Sequence, residues 1–289
     1  MTPLTFHLQF ITPCFCSGAT LAVAEIRAPS IRGKLRWWFR VLGGTKDQEA
    51  EVFGATAGES GSSSAVIIRV ADTLIKHSWQ PIKMNSLSNT GYLLYFAKSS
   101  GDGARWVAGG AIPELASFDL QLYWRRKVSL AAKDLFDLAL DSFLSLGSLG
   151  LRSTRGLGCF EAKEKPFEEE KFQALLKRIQ ERAPTFNAWL AEFRQTELLD
   201  AMGAQLRSLR SGCSAGRPGH ANPSPLGSSN KPRQTSAVYL RPVKECNERY
   251  RLVVFEAPAD KVLGPESRNG SPLLRNGIPA LVQPRQHKY

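Results

Sequence analysis

The chain has 289 residues, with 38 lysines and arginines against 26 aspartates and glutamates and a formal net charge of +12. Such an excess favours polyanionic partners, because each neutralised phosphate releases condensed counterions, although many basic proteins bind no polyanion. The five cysteines are an odd number, which argues against a disulfide framework. No apolar run approaches ~18 residues, so we expect no membrane span, and no charged segment precedes an apolar one at the N-terminus, so we expect no signal peptide. We therefore expect a cytoplasmic protein.

The first part of the chain predicts alternating strands and helices. Residues 4–10 alternate apolar and polar side chains, which is the period of a half-buried strand. Ser30 is a candidate N-cap for a helix that runs to about Leu42 and ends at Gly43. The later elements follow the same periodicities: a helical turn within 47–54, strands at 65–72, 91–97 and 118–124, a helix at 128–146 and a short strand after 147–158. This order predicts a ferredoxin-like domain over residues 1–166.

The pattern after Pro166 is more helical and less regular. Residues 172–179 place apolar side chains on one helical face, and a longer helix is predicted from Phe186 to about Arg210. Residues 211–236 are rich in Gly, Pro and Ser with only basic charges, so we expect a mobile loop. Two strands at 236–243 and 249–257 then predict a hairpin. We therefore predict an α+β fold of tandem ferredoxin-like (RRM-like) domains, the second spanning 167–289 with a helical insertion.

The first predicted helix is amphipathic. On a helical wheel its apolar face carries Ile31, Leu35, Trp38 and Leu42, which we assign to the core. The opposite side carries Gly33, Arg36 and Arg40, with Arg32 and Trp37 on its flanks. Trp37 thus lies at the margin, where its indole either covers apolar surface or stacks on a base.

Two basic stretches are candidate anion sites. At the helix start, Ser30 and free N–H groups of residues 31–33 would favour an anion, and Gly33 would admit a close backbone approach beside Arg27, Arg32 and Lys34. The second stretch is a glycine-rich loop, residues 147–158, whose glycines would expose successive N–H groups to phosphate around two arginines. The alternatives are a capped helix with a solvated face and a simple helix-to-strand turn. Neither stretch fits a Walker or Rossmann loop, so we expect no nucleotide cofactor.

Three motifs together resemble one known family. The segments "AEIRAPSIRGKLRWWFR", "EAEVFGATAG" and "LGSLGLRSTRGLGCF" are similar to the RAMP superfamily of CRISPR-associated RNA-binding proteins, in particular the family of first subunits of type III-B Cmr effector complexes. The resemblance covers about residues 1–163. After Pro166 it thins, although residues 222–243 are similar to an RNA-facing loop and strand of the second RAMP domain.

The resemblance implies a non-catalytic subunit that binds guide RNA near its 3′ end and helps capture target RNA in antiviral defence. The implied partners are CRISPR guide RNA, target RNA and other RAMP backbone subunits, with no membrane and no cofactor. The candidate RNA-binding residues lie in the two basic stretches and the later loop: Arg27, Ser30, Arg32, Gly33, Lys34, Arg36, Trp37, Arg40, Gly150, Arg152, Ser153, Thr154, Arg155, Gly156, Lys231 and Arg233.

Two other classes of function stay open. Some RAMP proteins cleave CRISPR RNA without metal, and such cleavage needs a general acid or base near the scissile phosphate. Neither basic stretch contains a histidine, and only His220 lies in the predicted basic loop. Cys14 and Cys16 alone rarely hold zinc, so we expect no metal site. A protein-contacting scaffold that binds no RNA is the remaining alternative.

Overall fold

The first half of the protein forms a four-stranded antiparallel sheet. The computed structural model describes residues 3–18, 23–56, 61–76, 79, 88–95, 110–192, 197–215, 226–227, 235–245 and 249–264. The strands are β1 (Leu4–Phe10), β2 (Val66–Leu74), β3 (Ser117–Trp124) and β4 (Phe160–Ala162), in the order β2-β3-β1-β4. Because β3 lies between β1 and β2, two crossover units share this sheet, as a ferredoxin-like fold requires.

Helices cover one face of this sheet. They are α1 (Ala28–Val41), α2 (Lys46–Phe53) and α4 (Leu130–Leu146), whereas the short helix α3 (Asn89–Leu93) packs against a helix of the second half. Phe6, Leu8 and Phe10 alternate along β1 and are buried in one core with residues of α1 and α4. Thr45 and Gln48 form a capping box at the start of α2, and Ser129 caps α4. The apolar side chains on one side of β1 and those on the apolar faces of the helices thus form one buried layer.

The second half forms a three-stranded antiparallel sheet. Its strands are β5 (Asn187–Glu192), β6 (Val238–Lys244) and β7 (Tyr250–Glu256), in the order β5-β7-β6. Its helices are α5 (Glu169–Arg182), α6 (Leu198–Ala215) and α7 (Ala259–Val262). The predicted hairpin of β6 and β7 is confirmed, and so is the α+β class with antiparallel sheets. Within the described ranges, no helix is long and apolar enough to cross a bilayer.

The two sheets share one continuous core, with α1 between them. Trp38 is 2% exposed, and its ring centroid lies 6.0 Å from that of Phe186 and 5.8 Å from that of Phe255. Phe255 in turn stacks on Tyr239 at 4.7 Å. The apolar face of α1 therefore packs against the second sheet as well as the first.

Two predicted elements are wrong. Residues 91–97 were expected to form a strand, but Asn89–Leu93 form α3, because the Ser88 hydroxyl accepts a hydrogen bond from the Gly91 amide (2.9 Å) and starts a helix. The long helix expected from Phe186 is instead β5 followed by α6, since residues 187–192 pair in register with β7. Helix α6 also extends to Ala215, past the start of the expected loop at 211.

Candidate nucleic-acid interface

Helix α1 begins three residues earlier than expected. Arg27 is its N-cap in an extended conformation (φ −113°, ψ 129°), and Pro29 lies in the first turn. The Ile31 amide donates to the Arg27 carbonyl (3.3 Å), so Ser30 is not the N-cap and residues 31–33 lie inside the helix. The expected anion site built from their free N–H groups is therefore wrong.

The outer face of α1 is nevertheless open at its beginning. Arg27, Ser30 and Gly33 are exposed, and within the described residues the Arg27 side chain forms a long ion pair with Glu25 (3.9 Å). A Cβ atom built on Gly33 would meet nothing within 4 Å. Among the described residues, no packing contact thus requires a glycine at this position, and the surface above it is accessible.

The arginines farther along α1 bind residues of α2. Arg36 Nε lies 2.7 Å from Glu49 Oε1, and Arg40 Nε lies 2.5 Å from Glu49 Oε2. Hydrogen bonds from Arg40 and Arg36 hold the pKa of Glu49, which is 7% exposed, below its ordinary value. Arg32 donates to the carbonyl of Phe53 at the end of α2. The expected outward basic ridge of Arg36 and Arg40 is therefore engaged within the protein.

The two tryptophans separate as the helical wheel predicts. Trp38 is buried, whereas Trp37 is half-buried and packs at 5.0 Å against Trp38 and at 5.3 Å against Tyr239 of β6. Trp37 thus covers apolar surface at the junction of α1 and β6. Base stacking by Trp37 stays a prediction.

Glycines of the loop at 147–158 stand where the backbone has a positive φ and packs too closely against its neighbours for a side chain. Gly150 and Gly156 have φ values of +77° and +78°, and a Cβ atom would lie 2.6 Å from the Phe15 carbonyl oxygen and 2.8 Å from Met202 Sδ, respectively. The Leu151 amide donates to Phe15, and the amides of residues 149, 155 and 158 also bond to protein carbonyls. The expected cradle of free N–H groups is therefore not formed at these positions, which supports the helix-to-strand turn.

The same loop contacts the beginning of α1 through side chains. Lys34 Nζ donates to Ser153 Oγ (2.9 Å), and burial lowers the pKa of Lys34. Arg152 is exposed next to this contact and adopts φ +58°, an uncommon backbone conformation for arginine. The Leu240 amide donates to the Thr154 carbonyl (3.1 Å), so β6 also holds the loop. The two basic stretches, far apart in sequence, therefore form one surface.

On its other side the loop meets basic residues that the sequence patterns did not indicate. Tyr92 of α3 accepts a hydrogen bond from Arg210 Nη1 (2.8 Å), and the guanidinium carbons of Arg207 and Arg210 lie 4.9 and 5.7 Å from its ring centroid. Burial, followed by the charges of Arg210 and Arg152, lowers the pKa of Arg155 to about 10. We call Arg152, Arg155, Arg207, Arg210 and Tyr92 the Tyr92 arginine cluster.

Hydrogen bonds position α3 beneath this cluster. Asp200 of α6 accepts from Asn89 Nδ2 (3.0 Å) and from the Thr90 amide (3.3 Å). Arg207 donates to the Ser88 carbonyl (3.0 Å). A sequence signal for α6 existed, because Arg207 and Arg210 are three residues apart and so share a helical face.

Several expected site residues lie outside the described part of the chain. These are Lys231, Arg233 and His220. Within the described part, no group of three or more histidine, cysteine or acidic side chains has the arrangement to hold a metal ion. Burial raises the pKa of the thiols of Cys14 and Cys159, which lowers their reactivity.

Comparison with known proteins agrees with the fold and the motifs. Among curated proteins, Cmr subunit Cmr1-2 of Pyrococcus furiosus is 28% identical over 181 residues, which are 55% of this chain and 94% of that protein. Cmr subunit Cmr1-1 of the same organism is 31% identical over 149 residues, or 46% of this chain and 39% of that protein.

Solved structures of similar fold extend over both sheets. Apo Cmr1 from Pyrococcus furiosus has a TM-score of 0.60 at 22% identity and covers 89% of this chain and 88% of its own. A chain of the type III-B Cmr-beta complex bound to cognate target RNA has a TM-score of 0.56 at 9% identity, over 88% of this chain and 94% of its own. The family model of the RAMP superfamily matches residues 7–161, more than half of the chain. This protein therefore belongs to the RAMP superfamily.

Proposed function

We propose that the protein is an RNA-binding, non-catalytic subunit of a type III-B CRISPR (Cmr) effector complex. In this role it binds guide RNA near its 3′ end, assists in the capture of target RNA for antiviral defence and contacts other RAMP subunits. Its similarity to Cmr1 subunits and to a chain of a complex bound to target RNA supports this proposal. The position at the 3′ end rests on the resemblance of the motifs.

The observation that carries the RNA-binding role is the contact between Lys34 and Ser153. It joins the open beginning of α1 to the glycine-rich loop, so that Arg27, Gly33 and Arg152 border one accessible basic surface. Such a surface contacts phosphates and reads few bases. Sequence selection would then come from pairing between RNA strands, as in other RNA-guided complexes.

A titration of the full chain with labelled single-stranded RNA of about 20 nucleotides tests this function. Binding through several phosphates should weaken steeply between about 50 and 200 mM salt. The variant Arg27→Gln/Lys34→Gln should bind RNA about tenfold more weakly, because it removes two cationic groups from the surface that faces the phosphates.

The matched control is Lys127→Gln/Lys177→Gln. It removes the same charge from exposed positions on the β3–α4 connection and on α5, so RNA affinity should stay close to that of the unaltered chain. Absence of salt-dependent RNA retention by the unaltered chain would contradict the proposal and favour a protein-contacting scaffold.

The alternative is a metal-independent endoribonuclease that processes CRISPR RNA. Of the four histidines, the described part contains only His7, whose Nδ1 lies 3.2 Å from Asp119 Oδ1 and 3.4 Å from Glu164 Oε1. Two carboxylates beside this imidazole repel a scissile phosphate. We therefore expect the purified chain to leave RNA intact in the presence of a chelator. Cleavage that His220→Ala abolishes would favour the nuclease instead.

A further inference from the structure

We propose that the Tyr92 arginine cluster binds the phosphodiester backbone of single-stranded RNA where the strand passes from the glycine-rich loop to α6. The inference deepens the proposed function and rests on it. It assigns α3 of the first half and α6 of the second half a direct part in RNA binding, and neither helix lies within the family motifs.

The geometry brings cationic groups from distant parts of the sequence to one place. Arg152 and Arg155 come from the loop after α4, whereas Arg207 and Arg210 come from α6. The loop lies against α6, since a Cβ atom on Gly156 would be 2.8 Å from Met202 Sδ. The guanidinium carbons of Arg207 and Arg210 lie 4.9 and 5.7 Å from the ring centroid of Tyr92. The loop is fixed by its bond to β6, and α3 is fixed by Asp200.

The electrostatics of the cluster favour an anion. Burial lowers the pKa of both Arg152 and Arg155, and the nearby charge of Arg210 lowers each of them further. Like charges held together in a partly buried place raise one another's free energy, and an anion bound among them reverses this cost. Guanidinium groups suit phosphate in particular, because their parallel N–H donors match two phosphate oxygens.

The position of the cluster favours an RNA strand over a small anion. Arg152 borders the Lys34–Ser153 contact on one side and belongs to the cluster on the other. The cluster thus continues the basic surface of the first half toward the second. A strand that follows this surface presents a phosphate at each nucleotide, so several contacts form in succession.

The test is the variant Arg155→Gln/Arg210→Gln in the full chain, titrated with the same labelled RNA. We expect its RNA affinity to fall by at least tenfold at low salt. The slope of log affinity against log salt should become shallower by about 0.7 for each phosphate that the variant no longer neutralises. The control variant Lys127→Gln/Lys177→Gln should keep both the affinity and the slope.

The outcomes separate this inference from the proposed function. If the unaltered chain and Arg155→Gln/Arg210→Gln bind RNA with equal affinity and slope, the cluster is not a phosphate site and the proposed function stands. If the unaltered chain retains no RNA, both fail. Photocrosslinking of the unaltered chain to RNA containing 4-thiouridine avoids any folding defect of the variant. Crosslinks within 88–95 or 205–210 support the inference, and crosslinks confined to other parts of the chain overturn it.

Discussion

Replacement of Gly33 by alanine should stabilise the protein and weaken its RNA binding at the same time. Gly33 is the sixth residue of α1, and a Cβ atom there meets nothing within 4 Å. Alanine is favoured over glycine in a helix interior by about 1 kcal/mol, and no clash offsets this gain. The free energy of unfolding should therefore rise by about 1 kcal/mol, which corresponds to an increase of about 2 °C in Tm for a chain of this size.

The RNA affinity of Gly33→Ala should change in the opposite direction. If the RNA backbone passes directly over Gly33, a methyl group displaces it, and a penalty of about 1 kcal/mol corresponds to a fivefold weaker Kd. Gly33→Leu should weaken binding further while the protein stays folded. Calorimetry and the RNA titration measure the two effects, with Gln173→Ala on the exposed face of α5 as a control. Unchanged RNA affinity in both Gly33 variants would refute a close approach, and a lower Tm would refute the open space above Gly33.

Two further predictions concern buried ionic groups. Glu49→Gln should lower the free energy of unfolding by about 2 kcal/mol at pH 7, a value reduced from that of a fully buried pair because Arg36 and Arg40 are partly exposed. The pKa of Glu49 in the folded state lies below its ordinary value of 4.5. The stabilisation is therefore complete above about pH 4.5 and is lost as the pH falls through the folded-state pKa. The free energies of unfolding of the unaltered chain and of Glu49→Gln, measured in urea, should converge in acid. Arg241→Met should lower the free energy of unfolding by about 3 kcal/mol. The reason is that the buried guanidinium donates to the carbonyls of Ser145 (3.3 Å), Pro242 (3.1 Å) and Phe160. A loss of less than about 1 kcal/mol in denaturant unfolding would contradict this reasoning.

The four strands of the first sheet and helices α1, α2 and α4 were predictable because their periodicity is local. The alternation of side chains along β1 and the apolar face of α4 determine which of their side chains are buried. Neither pattern depends on distant parts of the chain. The burial of Trp38 followed from the wheel for the same reason. The second sheet that packs on Trp38 was not foreseen, because a wheel identifies an apolar face without identifying its partner.

The errors arise where distant residues decide the structure. A short apolar run such as 91–97 has no periodicity that separates a strand from a helix, and the Ser88 cap and Asp200 decide in favour of α3. Residues 187–192 extend because β7 offers a partner strand. In the candidate site, the helical wheel placed Arg36 and Arg40 correctly on the polar face. It could not predict that α2 packs beside α1 and brings Glu49 into contact with both arginines. The spacing of Arg207 and Arg210 indicates a shared helical face, but only the packing of α6 against α3 places that face beside the loop.

The position of Trp38 between the two sheets determines how the protein presents its basic surface. Because Phe186 and Phe255 of the second half close the core that begins at β1, a hinge motion between the halves would have to separate these buried aromatic rings. We therefore expect the loop and α6 to keep their separation when a ligand binds. A flexible RNA strand would have to adapt its path to this surface. The nucleic acid, and not the protein, would then lose conformational entropy on binding.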